Sequence, residues 1–202
     1  MSLQAGWMSR ADRRRWNAAR TVSDLATLMA AWLEGTIASQ PGHMPGHGPD
    51  PETHDLAGAL ASANRAGYLT VCSQPGAHDT IDGQGVWRQH AAVEGFISSP
   101  PLLHRLTQAA TAAGIAVIRH TIHDRRGRGG RPVITCDDRT RLTFGDALNA
   151  RNIRQIFRGC HPAALTAVCS AAQVTLIDPN PGQRGVLWDL LAQVTAPPPM
   201  PT

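Results

Sequence analysis

Apolar positions near the start of the chain recur with the period of a helix. Leu25, Met29 and Trp32 are spaced to share one helical face, behind a Thr-Val-Ser-Asp start signal at 21–24. The pattern predicts an N-terminal helical segment over residues 1–40.

A loop rich in glycine and proline follows at 39–51 and closes on a second start signal. Asp50 is suited to the N-cap position, and Pro51 fits the first helical position because its fixed φ matches a helix. We expect the next helix to run over 52–66 and to stop near a glycine.

Apolar and β-branched runs then alternate with turn signals and helical patterns. Strands are predicted at 68–72, 87–97, 115–122, 133–136, 141–144 and 174–177, and helices at 99–114, 163–172 and 186–194. Strand, helix and strand in succession imply crossovers onto a mixed β-sheet flanked by helices, an α/β (α+β) fold. The second domain therefore spans 41–195, and the proline-rich tail at 196–202 is expected to be disordered.

Composition supports a packed domain. The chain has 202 residues, of which 42% are hydrophobic and 17% charged, so it is not a charge-driven disordered chain. The longest apolar run, 25–33, is less than half of the roughly 20 residues that a bilayer span needs. The N-terminal residues lack a signal-like apolar stretch. We expect a cytoplasmic protein with no membrane partner.

The basic residues are unusual in type. All 19 are arginine, against 15 acidic residues, for a formal charge of +4. Such usage is typical of GC-rich genomes, as in actinobacteria and their phages. Nucleic acid is an unlikely partner on this pattern, because a specific binder concentrates its charge. An accessory protein of a mobile element stays open as an alternative; it requires the arginines at 10–15 to share a face with the 125–131 loop.

Candidate catalytic and metal motifs are weak. His43 and His47 lie in a loop that glycine and proline keep from being helical, with no acidic or thiol partner at ligand spacing, so no metal site is predicted. The four cysteines are scattered without a CxxC pair, as buried small hydrophobes would be. Cys72 and Cys160-His161 lack an orienting third residue. We predict no catalytic residue and no required cofactor.

One stretch, 52–76, carries a resemblance. It reads Glu-Thr at a helix start, Asn-Arg-Ala-Gly at the helix end, and Leu-Thr-Val-Cys-Ser-Gln-Pro-Gly across a strand and turn. These motifs resemble the C-terminal regulatory domain of eukaryotic methylenetetrahydrofolate reductase. Further blocks agree in order: Gln89, Ala91, Glu94 and Phe96; Leu-Thr-Phe-Gly at 142–145; and Val-Thr-Leu-Ile-Asp at 174–178 followed by Leu-Trp at 187–188.

The resemblance implies a binding domain. In that family the domain binds S-adenosylmethionine or S-adenosylhomocysteine and regulates a flavin-bearing barrel, which this sequence lacks. The family's ligand positions that match are Glu52, Thr53, Thr70 and Ser73. A further family threonine falls near Phe157 here, where the hydroxyl is lost.

The residue chemistry at these positions permits two interpretations. Backbone amides in a first helical turn favour a bound carboxylate, and the hydroxyls of Thr70 and Ser73 could face one cleft. Tyr68, Trp87 or Phe96 could supply an aromatic wall for an adenine ring. The alternative is structural: Asp-Pro-Glu-Thr is simply a helix cap, and Ser-Gln-Pro-Gly simply a turn.

We therefore expect a non-catalytic module that binds or senses a nucleoside-type ligand and acts on a protein partner. The contact with that partner could involve Trp7, Trp16 and Trp32, which are equally suited to core packing. An enzyme of the hydrolase or lyase type is the alternative; it would act on the bound nucleoside through a side chain such as Cys72 or His78.

Overall fold

A computed structural model describes residues 8–82, 85–121, 129–182 and 185–196. These residues form a mixed α+β fold, with 43% helix and 26% strand, so the predicted class is confirmed. The helices are α1 Arg10–Ala18, α2 Val22–Leu33, a 3-10 helix Pro51–Leu56, α3 Ala57–Arg65, α4 Pro100–Ala112, α5 Ala150–Ile156, α6 Pro162–Ser170 and α7 Val186–Thr195. The strands are β1 Tyr68–Gln74, β2 Ala77–Asp82, β3 Gly85–Gln89, β4 Ala92–Ile97, β5 Ala116–His120, β6 Arg131–Cys136, β7 Arg139–Phe144 and β8 Ala172–Ile177.

The strands form two four-stranded sheets. The first has the order β1-β4-β8-β5 and the second the order β2-β3-β6-β7. All the described strand pairs are antiparallel, whereas the sequence pattern predicted one mixed sheet. The expected crossover from β4 through α4 to β5 is present, and these two strands do run in the same direction. However, β8 lies between them and runs opposite to both, so no parallel pair forms.

The predicted strand at 87–97 is two strands in different sheets. β3 ends at Gln89 and pairs in the second sheet, and β4 begins at Ala92 in the first. The backbone leaves one sheet at His90, whose N–H donates to Val133 O of the second sheet. Its ring Nδ1 lies 2.9 Å from Asp178 O, beyond the end of β8. No glycine or proline separates β3 from β4, which is why the sequence pattern alone did not reveal the change of sheet.

The main hydrophobic core lies between the helices and the first sheet. Leu25, Leu60, Leu69, Leu106 and Leu176 are all fully buried in it. A smaller cluster around Ala92, Val133, Phe144 and Ile177 joins the other face of the first sheet to the second sheet. Burial of this apolar area is the main favourable contribution to folding.

The N-terminal helices are part of this core. Trp16 on α1 is 1% exposed, and its indole N–H donates to Ser39 O at 2.9 Å. α2 begins with a reciprocal capping box between Thr21 and Asp24, which satisfies orphan amides at the helix start. The division at residue 40 stays a prediction, and the tail from 197 onward lies outside the described residues, as does Trp7.

A buried polar network fixes the Leu-Thr-Phe-Gly segment against the first sheet. Glu94 Oε2 accepts hydrogen bonds from Gly145 N at 2.8 Å and from the Thr175 hydroxyl at 2.9 Å. His120 Nε2 lies 2.7 Å from Gly145 O, and the Gln173 amide bonds Asp146 O and Leu148 N. These contacts satisfy polar groups that burial would otherwise leave unpaired.

Candidate functional site at the free edge of the first sheet

A cavity of about 150 Å³ lies against the outer edge of β1. The end of α2, the loop at 40–50 and the start of the 3-10 helix surround it. The four residues predicted from the resemblance all line this one cavity: Glu52, Thr53, Thr70 and Ser73. The structure therefore brings together side chains that lie up to 21 positions apart in the sequence.

A β-bulge places two of these residues on the same face of β1. Residues three apart on a regular strand point to opposite faces. Here the register shifts between Thr70 and Cys72, so Thr70 pairs with Gly95 while Ser73 pairs with Val93. Because Gly95 and Val93 are two apart on β4, Thr70 and Ser73 share a face.

The hydroxyl of Thr70 is engaged within the protein. Thr70 is 5% exposed, and its Oγ1 accepts a hydrogen bond from Asn64 Nδ2 at 2.7 Å. Its backbone N–H donates to Asn64 Oδ1 at 3.1 Å. This two-way contact closes the turn between α3 and β1, which explains the Asn-Arg-Ala-Gly and Leu-Thr motifs in structural terms. Because Thr70 Oγ1 is the acceptor in this contact, its O–H group can still donate a hydrogen bond.

Glu52 and Thr53 lie on the short 3-10 helix rather than in an α-helix. Asp50 is at the cap position as predicted, and its carbonyl accepts Thr53 N at 2.8 Å, but its carboxylate makes no capping hydrogen bond. The expected attraction of a ligand carboxylate by a helix N-terminus does not hold, because the helix has only six residues. Asp50 and Glu52 instead place two carboxylates around the cavity.

Three of the predicted residues present unused polar groups. The Glu52 carboxylate and the hydroxyls of Thr53 and Ser73 have no hydrogen bond or ion pair with any residue that the structure describes. None of them is a buried unsatisfied atom, so each reaches solvent. A ligand can therefore bind these groups without breaking a hydrogen bond between described residues.

The aromatic wall of the cavity comes from residues that the sequence did not indicate. Trp32 and His43 both line it, with ring centroids 5.4 Å apart in an edge-on arrangement. The Trp32 indole N–H donates to His47 O at 3.2 Å, and His43 Nε2 lies 3.2 Å from Gly48 O. The Gly/Pro loop and the end of α2 are thus joined at the cavity.

The three aromatic residues proposed from the sequence do not line this cavity. Tyr68 and Phe96 are fully buried, and the Tyr68 hydroxyl donates to Val174 O at 2.9 Å. Trp87 lies on β3 in the second sheet, under the guanidinium of Arg141. Phe157 is 1% exposed in the main core, so its position offers no ligand contact.

Cys72 lines the cavity, but its thiol is not activated. Cys72 is exposed at the strand edge, yet desolvation by the surrounding protein atoms raises the pKa of its thiol to about 11, and the negative charges of Glu94 and then Glu52 contribute to the increase. At neutral pH the sulfur is therefore a thiol rather than the thiolate that acts as a nucleophile. The side chain of His78 lies outside the described residues.

Two larger cavities adjoin the first. One, of about 340 Å³, shares His43, Pro49 and Asp50 with it. The other, of about 500 Å³, shares Glu52 and is bordered by Trp188 and by two further carboxylates, Asp55 and Asp189. The 3-10 helix thus borders three neighbouring cavities whose linings share residues and include carboxylates.

Other predictions from the sequence are resolved in part. Among the described residues no group of three His, Cys, Asp or Glu side chains is arranged to hold a metal ion. None of the four cysteines forms a disulfide within the described residues; Cys136 and Cys160 are buried as expected, whereas Cys72 is exposed. Within the same residues, no helix combines the length and apolarity needed to cross a bilayer. Most of the 125–131 loop, 125–128, lies outside the described ranges.

The fold and the site define an α+β domain with an open, acidic cavity at a sheet edge. Residues 11–196 match the family model described as a domain of unknown function, DUF6919. The chain belongs to that family. No curated protein sequence matches it.

Proposed function

We propose that this protein is a non-catalytic module that binds S-adenosylmethionine or S-adenosylhomocysteine at the edge of β1 and passes the signal to a protein partner. The observation that supports it best is the common cavity of Glu52, Thr53, Thr70 and Ser73. The resemblance implies these positions from sequence motifs alone, so their common cavity is an independent observation.

Size limits how the ligand is held. A cavity of about 150 Å³ is below the roughly 300–1,000 Å³ of pockets that enclose a whole small molecule. We infer that it takes one end of the ligand, while the rest lies in the adjoining cavity of about 500 Å³ that shares Glu52. Trp188 borders the second cavity and offers an apolar ring to an adenine.

Charge favours the methylated form of the ligand. Asp50 and Glu52 line the first cavity, Asp55 and Asp189 line the second with Glu52, and neither described lining contains an arginine. S-adenosylmethionine carries a positive sulfonium that S-adenosylhomocysteine lacks. Because exposed charge pairs contribute up to about 1 kcal/mol, we expect S-adenosylmethionine to bind up to about fivefold more tightly.

Calorimetric titration of the full chain with both compounds tests the proposal. We expect one-to-one binding of S-adenosylmethionine, and a loss of about tenfold in affinity for Ser73→Ala and for Thr53→Ala, since each removes one hydrogen bond to the ligand. In Glu52→Gln the preference for the sulfonium should shrink. At one hundred times Kd the ligand should stabilise the fold by about 2.7 kcal/mol, which a melting curve also detects.

Thr166→Ala provides the matched control, because it removes a threonine hydroxyl from α6, outside the cavity. Its affinity should equal that of the unchanged protein. Absence of binding by both adenosyl compounds would refute the proposal. Conversion of the ligand during incubation, detected by chromatography, would instead favour the enzyme alternative.

A further inference from the structure

A further cavity, separate from those around the 3-10 helix, is lined by arginines. It has a volume of about 610 Å³ and lies between α1 and Gly159, in the turn before α6. The four arginines that line it are Arg10, Arg13, Arg14 and Arg20. Its described lining contains no carboxylate. Asp24 lies beyond this lining, accepts a hydrogen bond from Arg20 N at 2.8 Å and interacts with the charge of Arg20. The charges of Arg10, Arg13 and Arg14 are therefore the ones that no acidic lining residue offsets.

The spacing of residues along α1 produces this arrangement. Arg10, Arg13, Arg14 and Asn17 recur at three- and four-residue intervals, which places them on one helical face. The remaining arginine of the run, Arg15, points elsewhere and pairs with the buried Asp12 at 2.8 Å.

The cavity wall is held in place by specific contacts. Asn17 Nδ2 donates to Gly159 O at 3.2 Å and joins α1 to the turn before α6. Arg20 Nη1 donates to Asn17 O at 2.7 Å and to Ala19 O at 2.9 Å, which fixes its guanidinium at the end of α1. Trp16 anchors the opposite face of the helix in the core.

Two of the guanidinium groups have no partner among the residues that the structure describes. Arg10 and Arg14 make no hydrogen bond or ion pair with any residue that the structure describes, and Arg13 makes one hydrogen bond, to Met8 O. Grouped guanidinium ions repel one another unless an anion lies between them. Each of these planar forks also matches the geometry of a phosphate group.

We propose that this cavity binds a small molecule bearing two or more phosphate groups. Its volume falls in the range of small-molecule pockets, about 300–1,000 Å³. The cavity is open to solvent and its arginines all lie within residues 10–20, whereas a duplex backbone would require an extended basic stripe. The inference stands on residues other than those of the acidic cavity and does not depend on the adenosyl proposal.

Titration calorimetry with sodium tripolyphosphate tests this inference. We expect one-to-one binding that weakens at least tenfold in the double variant Arg10→Gln and Arg14→Gln, and that also weakens as salt increases. The matched control is the pair Arg105→Gln and Arg119→Gln, which removes the same charge from α4 and β5. The control pair should bind as the unchanged protein does.

Three results would overturn the inference: no binding of tripolyphosphate, equal weakening in both double variants, or tighter binding of a 20-base-pair DNA duplex than of tripolyphosphate. The last would assign the surface to nucleic acid. A melting curve of each variant establishes that it is folded, and all four substitutions are at exposed positions, where changes are usually small.

Discussion

The negative charge of Glu52 raises the pKa of the neighbouring Cys72 thiol. Both side chains line the cavity at the edge of β1, and the carboxylate of Glu52 helps to raise the pKa of Cys72 above its ordinary value. Burial and Glu94 contribute more to that increase. The reactivity of the thiol therefore reports on the position of the carboxylate in solution.

We predict that Glu52→Gln makes Cys72 react faster with iodoacetamide. Removing the negative charge lowers the thiol pKa from about 11, so the thiolate fraction at a fixed pH of 9 increases. Peptide mass spectrometry resolves Cys72 from the other cysteines. In the unchanged protein the rate should still be rising between pH 9 and pH 10.

Glu34→Gln is the charge-matched control. Glu34 forms an ion pair with Arg65 and does not contribute to the pKa shift of Cys72, so the rate should not change in this variant. If both variants accelerate the reaction equally, or neither does, Glu52 does not lie where the structure places it.

The family resemblance predicted part of the site. The motifs identified Glu52, Thr53, Thr70 and Ser73, which do share a cavity, but they did not indicate Trp32 or His43. The sequence placed Trp32 on a helical face, as a core residue or a partner contact, because its contacts with the loop at 40–50 depend on the tertiary fold. A local pattern does not carry that information.

At the scale of elements, the position of β1 depends on the close approach of its backbone to Gly95 on β4. The position of Gly95 on β4 leaves no room for a side chain: an added Cβ would lie 2.2 Å from Leu69 O and 2.8 Å from the Cα of Thr70. Since both atoms belong to the backbone of β1, they can move only if the strand moves. β1 and its bulge carry Thr70 and Ser73, so the cavity depends on this contact.

We predict that Gly95→Ala destabilises the fold by about 1–3 kcal/mol and weakens ligand binding. Gly58→Ala is the control, because Gly58 lies in α3 with open space around it. That change should be neutral or stabilise by up to about 1 kcal/mol, since alanine favours a helix. Urea unfolding of both variants measures the difference, and equal stabilities would contradict the account of β1.

Local signals predicted several elements and missed others. The sequence predicted the helix start at Asp50 and Pro51 and the helix at Pro100–Ala112, although the Asp50 side chain makes no capping hydrogen bond. The sequence pattern predicted neither α5, which is only seven residues long, nor β2, which has six residues. Elements this short contain too few repeats of a hydrophobic pattern to be recognised. The bulge in β1 could not be predicted either, because it is defined by the pairing of β1 with β4.

At the scale of the whole molecule, two cavities of opposite charge lie on different elements. The acidic one borders the 3-10 helix and β1, and the basic one borders α1. α2 follows α1 directly in the sequence and lines the acidic cavity with Met29, Trp32 and Leu33. It also contacts α6, which begins three residues after Gly159 of the basic cavity. The overall charge of +4 does not reveal this separation, because it averages over both surfaces.

Our central claim is that a ligand enters the acidic cavity beside Trp32. The indole N–H groups of Trp32 and Trp16 provide a site-resolved test, because Trp32 lines the cavity while Trp16 is buried against Ser39 O. A ¹H–¹⁵N spectrum recorded during titration with S-adenosylmethionine measures both, and Trp32→Phe assigns the signal. We predict that the Trp32 signal shifts and saturates while that of Trp16 stays in place; a stationary Trp32 signal at saturating ligand would contradict the claim.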